Sequence, residues 1–499
     1  MPMLAADDLR TRADVVVVGS GAGGSMAALE LARAGHDVLV VEMGEAHPPE
    51  RFTQREEEMI PRLFQDSGAR TTVDMSVQVV QGKGLGGSTV HNLNLCKRVP
   101  DALLDRWADR QRLPDLPARL GEAYDAVEAM LDVTEVTEGQ VNRHNALFRQ
   151  GCRALGLHQG RLRHNRRGCV GSGFCELGCA YDAKQNAAKI VLPAAAALGA
   201  RMWTRARVDR IDHRFGRVTG VRGVRHDGQG RSHRFRVKAR AVVLAASATA
   251  STALVLASGL QDRWRQAGAG LHLHPAATVA AVFPEPVEAW RGIPQSIEST
   301  ELLDPVDPNR RVWLVPVFGH PATAAGMIPG TGAPLMEWLS QYRYLAASSP
   351  MLHDHGSGRV GATRDGRPLL HYRLDPSDGR ALAQGMAMAA RIWLAAGARR
   401  VLVPMARPLV VDSLAEADAL ASIVPRRADP PLAAVHPMGG LRMGGLPRMG
   451  ACDGFGRYHA ARGLWVADGS LMPSSTGGPP QLTIYALGRI VGRSVASQL

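Results

Sequence analysis

One stretch near the start of the chain constrains the fold more than any other. Asp14-Val-Val-Val-Val18 is an unbroken apolar run, the pattern of a parallel strand buried on both faces. It passes into Gly19-Ser-Gly21-Ala-Gly-Gly24 and then into a helical pattern from Ser25 to Arg33, which Gly35 ends. A second apolar strand, Val38 to Val41, closes on Glu42. A lone glycine triplet carries little weight. Here strand, glycines, helix, strand and acid follow in the order of a dinucleotide-binding βαβ unit. The three glycines, Gly19, Gly21 and Gly24, permit a tight turn, close approach of backbone to a pyrophosphate, and close helix–strand packing. The helix N-terminus offers N–H donors and a positive dipole to the phosphates. Glu42 is the acid expected to accept from the adenosine ribose hydroxyls. FAD and NAD fit this unit equally.

At 499 residues, two or three domains are expected. With 45% hydrophobic and 21% charged residues, the chain is neither disordered, collagen-like nor a coiled coil. Six cysteines are too few for a disulfide scaffold at this length. Lys plus Arg exceeds Asp plus Glu by 13, which favours acidic partners. The excess is spread as single arginines and accompanies no nucleic-acid recognition motif, so it reads as solubility first and steering second. The densest run, Arg161-Leu-Arg-His-Asn-Arg-Arg167, reads as a solvated loop. Ala241 to Leu260 carries no charge and has the length of a membrane span. Its pattern is instead a buried strand over Ala241–Ala245, a turn crowded by Ser247, Thr249, Ser251 and Thr252, and a helix from Thr252 to Ser258 stopped by Gly259. No membrane span is expected. Met1 to Ala13 has acids and no apolar core of signal-peptide length, so the expected compartment is the cytoplasm, with export beside a signal-bearing partner left open.

A second glycine cluster, Gly82-Lys-Gly84-Leu-Gly86-Gly87-Ser88-Thr-Val-His91-Asn92, forms another nest of backbone N–H groups. Near the far end stand His436-Pro-Met-Gly-Gly-Leu-Arg442-Met-Gly444 and Gly463-Leu-Trp-Val-Ala-Asp468-Gly469-Ser470. Gly477-Gly-Pro479-Pro480-Gln481-Leu482-Thr483-Ile then opens a helical pattern from Tyr485 to Ser497. Together with Ala245-Ala-Ser…Ser258-Gly259 and the Leu273-His274-Pro275 step, these segments resemble the glucose–methanol–choline (GMC) family of FAD oxidoreductases, in family order from residue 13 to the end. The resemblance implies FAD and an α/β fold, α+β overall. A Rossmann-like FAD domain with a parallel sheet would be assembled from residues 10–276 and 425–499. A substrate domain with antiparallel sheet and helices would lie between, at 277–424. It further implies that Gly86, Gly87, Ser88, His91, Asn92, Val208, Asp468, Gly469, Pro480, Gln481, Leu482 and Thr483 join Gly19, Gly21, Gly24 and Glu42 around the cofactor. His436 would be the base that takes the hydroxyl proton while a carbinol hydride leaves for flavin N5, a task suited to an imidazole near neutral pH. The N-terminus of the last helix would face the flavin edge that gains negative charge. Most of the other histidines, His272, His353 and His371 among them, read as hydrogen-bonded interior residues.

Two positions depart from the family pattern. Many members carry Asn or His one residue before the proline opening the last helix; here that residue is Pro479, with neither donor nor base. His91 stands where some members bond a histidine covalently to flavin, and noncovalent FAD is expected here. Cys169-x5-Cys175-x3-Cys179 puts half of the cysteines within eleven residues. Zinc finds no fourth ligand at usual spacing. Three thiolates on a glycine-rich loop can hold a [3Fe–4S] cluster, and the spacing resembles the catalytic subunit of bacterial FAD glucose dehydrogenases. A reduced structural loop is the equal alternative. If a cluster is present, the basic run before it would dock an acidic electron acceptor or cytochrome subunit. Cys96, Cys152 and Cys452 read as ordinary buried thiols.

Between the motifs, Leu116, Leu120, Ala123, Tyr124, Val127 and Leu131 recur at helical spacing. Arg201 to Arg240 alternates and turns at Asp227-Gly228, as a small antiparallel layer would. Arg311 to Phe318 and Leu369 to Leu374 read as strands, and Asp378 to Ala396 as a capped helix ended by Gly397. Met327, Met336, Trp338, Tyr342 and Tyr344 suit either a wall for a bulky apolar substrate or core packing. The function expected is oxidation of a CH–OH group in an apolar alcohol, sugar or sterol-like molecule to a carbonyl, with electrons passed to an acceptor other than O2. A redox-neutral flavin lyase of the same family and a non-catalytic electron-transfer subunit are the alternatives.

Overall fold

The computed structural model describes residues 10–499 except 305, 306, 308, 329 and 357. The reading of Met1–Ala13 falls mostly on residues outside that range. Four successive valines need cover on both faces, and they receive it. The strand Arg10–Val18 lies between Val38–Val41 and Ser232–Leu244, parallel to both, with Arg201–Trp203 beyond Val38–Val41. Val15, Val16 and Val17 have no solvent exposure. The helix Ala22–Arg33 packs on the last helix, Gln481–Ala496, so closely that a Cβ on Gly488 would sit 2.4 Å from the Gly23 carbonyl oxygen. Glycine is what lets the two ends of the chain touch.

The long strand Ser232–Leu244 changes neighbours along its length. Its first half pairs antiparallel with Arg217–His226, and its last residues pair parallel with Leu464–Val466. The expected antiparallel layer is thus continuous with the parallel strands in one seven-stranded sheet. Beyond Leu244 the chain turns into the helix Ala248–Ala257, four residues earlier than the sequence pattern implies. Ser247 takes a left-handed backbone angle (φ 86°) and caps that helix through its hydroxyl, which accepts from the Ala250 N–H.

A second core gathers under a five-stranded antiparallel sheet in the order Val312–Pro316, Leu345–Leu352, Val279–Val282, Arg400–Val403 and Leu409–Val411. The helix Pro376–Ala395 covers it, and the Trp393 indole N–H donates to Ser348. Asp375 caps this helix, accepting from Ser377 N–H, while Asp378 is buried against Arg311. The strand expected at Leu369–Leu374 spans Pro368–His371 and belongs to a separate three-stranded sheet with Ala269–Leu271 and Gly358–Ala362. The short strand Val77–Val79 pairs with Leu432–Ala434, which delivers the chain to His436.

The amphipathic helix is Leu116–Met130 and buries the residues its periodicity marks. Cys96, Cys152 and Cys452 are buried free thiols. Two readings need correction. The basic run is no solvated loop: Arg161 pairs with Glu135, Arg163 with Glu128 and Arg167 with Asp132, while His164, Asn165 and Arg166 are buried. His371 is exposed rather than interior. No helix among the described residues is long and apolar enough to cross a membrane.

Candidate functional site

The first glycine loop and the second meet directly. A Cβ on Gly87 would lie 3.0 Å from Gly21 Cα, and Gly86 N–H donates to the Ser20 hydroxyl at 3.0 Å. Glu42, buried between the loops, accepts from Ser20 N–H and hydroxyl through one carboxylate oxygen and from Gly44 and Gly84 N–H through the other. Val208 lies close by: its strand begins at Ala206, whose N–H donates to the Glu42 carbonyl at 2.9 Å. Gly19 has φ 98°, and a Cβ there would strike the Ala245 carbonyl oxygen at 2.3 Å. A Cβ on Gly21, by contrast, meets nothing within 4 Å. No side chain caps the helix that Gly21 opens, which leaves its first-turn N–H groups without a side-chain acceptor. An uncapped helix end with bare glycine in front of it fits a pyrophosphate.

The last helix is also uncapped by any side chain, with Pro480 before its first turn. That turn is gripped by the N-terminal half. Asn92 donates to Gln481 Oε1 at 2.7 Å, Gln481 donates to the Leu95 carbonyl at 2.7 Å, and Tyr124 OH shares a 2.9 Å hydrogen bond with Thr483. Leu482 is fully buried beneath them. Asp468 accepts from Ser251 and from Ser470 N–H and hydroxyl, and burial raises its pKa despite these donors. Gly469 sits against the His436 segment: a Cβ there would lie 3.2 Å from the Pro437 carbonyl oxygen. Ser88 holds the second glycine loop by accepting from Gly82 N–H. His91 is turned onto Phe64, ring centroids 4.1 Å apart, with Nε2 buried and unpartnered; burial lowers its pKa to about 3.

His436 is half-buried, and its Nδ1 lies 3.0 Å from Nδ1 of His274. The two rings stack at 5.1 Å. Desolvation, and then the neighbouring His274, hold His436 well below the ordinary imidazole pKa, while burial brings His274 down to about 4. Both are neutral at pH 7. His274 has φ 52°, a left-handed angle fixed by Asp354, whose carboxylate accepts from Leu273 N–H, His274 N–H and Tyr372 OH. Burial alone would raise the Asp354 pKa, but these donors and His272 outweigh it and bring it to about 2. His353, lowered to about 3 by burial, stands beside Gly477, whose Cβ would be 3.2 Å from its Nδ1. His272 and His353 are interior, as their sequence context implies. The Leu273-His274-Pro275 step carries the family resemblance, but nothing in the sequence pairs His274 with His436, 162 positions away.

Cys169, Cys175 and Cys179 line one cavity of about 20 Å³, space for a single water molecule. Cys169 Sγ accepts from Gly171 N–H and Cys179 Sγ from Ala183 N–H, while burial pushes the Cys175 thiol up to about 11. Among the described residues no group of three or more His, Cys, Asp or Glu can hold a metal ion. Nothing in this lining supports a [3Fe–4S] cluster. What sequence reading missed here is Lys184, almost wholly buried, which donates to the carbonyls of Val90, Asn92 and Cys175 and so ties the cysteine loop to the Asn92 segment.

Comparison with known proteins agrees with this geometry. Residues 14–48 match an FAD-binding domain model, and residues 60–276 and 354–488 match the N- and C-terminal GMC oxidoreductase models. An uncharacterized GMC-type oxidoreductase of Mycobacterium tuberculosis is 37% identical over 98% of this chain and 76% of its own length. A long-chain-alcohol oxidase of Arabidopsis thaliana is 29% identical over 98% of this chain and 68% of its own. Among solved structures, pyridoxine 4-oxidase from Mesorbium loti superposes with a TM-score of 0.71 at 18% identity, covering 96% of this chain and 98% of that one. With both chain ends folded around one pair of glycine loops and both halves matched by the family models, this chain belongs to the GMC oxidoreductase family of FAD-binding proteins.

Proposed function

We propose that the protein oxidises the CH–OH group of an apolar alcohol to a carbonyl, with His436 as the base. The observation that carries this reading is the His274–His436 pair, held where the His436 segment meets Gly469 and the opening of the last helix. Gly19, Gly21 and Gly24, with the Gly86–Ser88 turn, Glu42 and Val208, would hold the nucleotide half of FAD. Asn92, Asp468, Gly469 and the Pro480–Thr483 turn would hold the flavin half. When bound, FAD supplies the acceptor for a hydride.

The residues of this chain account for the proton. An alcohol loses one hydride from carbon and one proton from oxygen, and the proton goes to His436 Nε2. For that nitrogen to carry a lone pair, His436 must be protonated on Nδ1 and donate to His274 Nδ1. His274 then has its own proton on Nε2. The buried Asp354 carboxylate, fixed beside the pair, favours the positive charge that arrives with the proton. His274 thus does not replace the polar group missing at Pro479; it holds the His436 ring in the tautomer that frees Nε2. The likeness to a long-chain-alcohol oxidase supports an apolar alcohol as substrate. No electron step is routed through the cysteines. Relatives named as oxidases put O2 beside dyes and quinones among the acceptors to test.

Anaerobic mixing with a panel of long-chain primary alcohols, sugars and sterols tests the reading. An alcohol substrate must bleach the flavin and yield one carbonyl per flavin. Product formed while the flavin stays oxidised would instead establish the lyase.

A further inference from the structure

From Val312 to Met336 the sequence carries no Asp, Glu, Lys or Arg. Its second half forms two short helices, Pro321–Met327 and Ala333–Ser340, that stand out from the five-stranded sheet. Pro321, Ala322, Met327, Ala333, Pro334 and Met336 are exposed, Met336 by 61%. The methionines are therefore not core, contrary to the packing reading. Nor does the hairpin hang loose. Glu56 accepts from Ala322 N–H, Thr323 N–H and the Thr323 hydroxyl, and Tyr342 OH donates to the Gly319 carbonyl. Trp338 roots the second helix against Val282 and Leu402.

The base has a different chemistry from the tip. Trp290 stacks on Tyr342 at 5.0 Å, and Arg400 lies over the Trp338 ring at 4.6 Å. Arg291 and Arg343 share Glu288, Arg400 reaches Glu337, and exposed Arg399 precedes Arg400. Four arginines thus face three glutamates, Glu56, Glu288 and Glu337, on a chain with a net charge of +13. We propose that this hairpin docks on an anionic lipid surface, with its apolar tip entering the headgroup–acyl boundary and its aromatic and arginine-rich base at headgroup level. Exposed apolar residues beside Trp, Tyr and cations are the composition of an interfacial anchor. A protein interface would put its aromatics and arginines at the centre. Phospholipid headgroups complement the base in charge, and each arginine within reach of such a surface strengthens binding roughly fivefold.

The test is sedimentation of the FAD-loaded protein with phosphatidylcholine vesicles, with and without phosphatidylglycerol. Binding should require phosphatidylglycerol and weaken with salt. Met327→Asp combined with Met336→Asp should weaken it roughly tenfold or more, with flavin content and melting temperature unchanged. This readout involves no turnover, so it stands apart from the proposed reaction. Failure to bind either vesicle overturns the proposal, as does a double variant that binds like the parent. A lipid-free dimer that the double variant dissociates would also overturn it, by putting a second copy of the chain on this face.

Discussion

Replacing His274 interrogates the site most sharply, because it touches no part of the nucleotide cradle. His274→Ala removes the acceptor 3.0 Å from His436 Nδ1. A buried hydrogen bond to a group that becomes charged is worth about 1.5–3 kcal/mol. Since about 1.4 kcal/mol is tenfold in rate, anaerobic flavin reduction should slow roughly 10- to 150-fold. Asparagine is the conservative control, as it tolerates the left-handed backbone that position 274 adopts (φ 52°) and offers an amide oxygen in place of Nδ1. His274→Asn should recover most of the rate. A merely structural role would leave the pH profile alone. Here His274 meets the His436 ring through its own ring nitrogen, so its removal should shift the acidic limb of flavin reduction. The assay is stopped-flow absorbance of the flavin with a saturating alcohol. Reduction by His274→Ala at the parent rate, with an unmoved profile, would refute the pairing as a working part of the site.

Two further outcomes follow from the same geometry. Gly21→Leu points a side chain into open space, so the chain should fold normally while losing FAD; a fully flavinated variant would contradict the pyrophosphate assignment. Stability should also fall with acid in a defined window. His274 titrates at about 4 in the fold against 6.5 unfolded, and His144 and His164 are lowered similarly by burial. The unfolded chain therefore takes protons first as pH falls. The stabilisation is whole above pH 6.5 and is lost as the pH drops toward 4, so melting temperature should be flat above that point and decline below it. A melting temperature that rises through this window would contradict the buried, neutral histidines.

What the sequence made legible was local. The Asp14–Glu42 unit, the Leu116–Met130 helix and the strand–turn–helix around Ser247 each carry their periodicity and punctuation within a few residues, and each is present in the order the pattern gives, with helix starts at Ala22 and Ala248 a few residues earlier than read. What escaped was set by contacts between distant segments. Nothing near Arg163 or Arg167 indicates that Glu128 and Asp132 will neutralise them. Asp378 has the look of a cap, yet Asp375 stands at the helix start and Asp378 is drawn inward by Arg311. Methionines and aromatics between 327 and 344 share one composition whether they wall a pocket, fill a core or face solvent. Cysteine spacing alone does not measure the volume between the thiols, and that volume here is small. In the site, the motif singled out His436, but the partner that tunes it is brought in by Asp354 and a left-handed turn that no short pattern encodes.

The central claim is that His436 takes the substrate proton beside a bound flavin. A single-turnover experiment on His436→Ala, loaded with FAD and mixed anaerobically with a long-chain primary alcohol, tests it most directly. Loss of a general base predicts retained flavin and bleaching slowed by roughly 10²–10⁴-fold, with the parent converting one alcohol to one aldehyde per flavin. Bleaching at the parent rate would remove His436 from the chemistry and contradict the account.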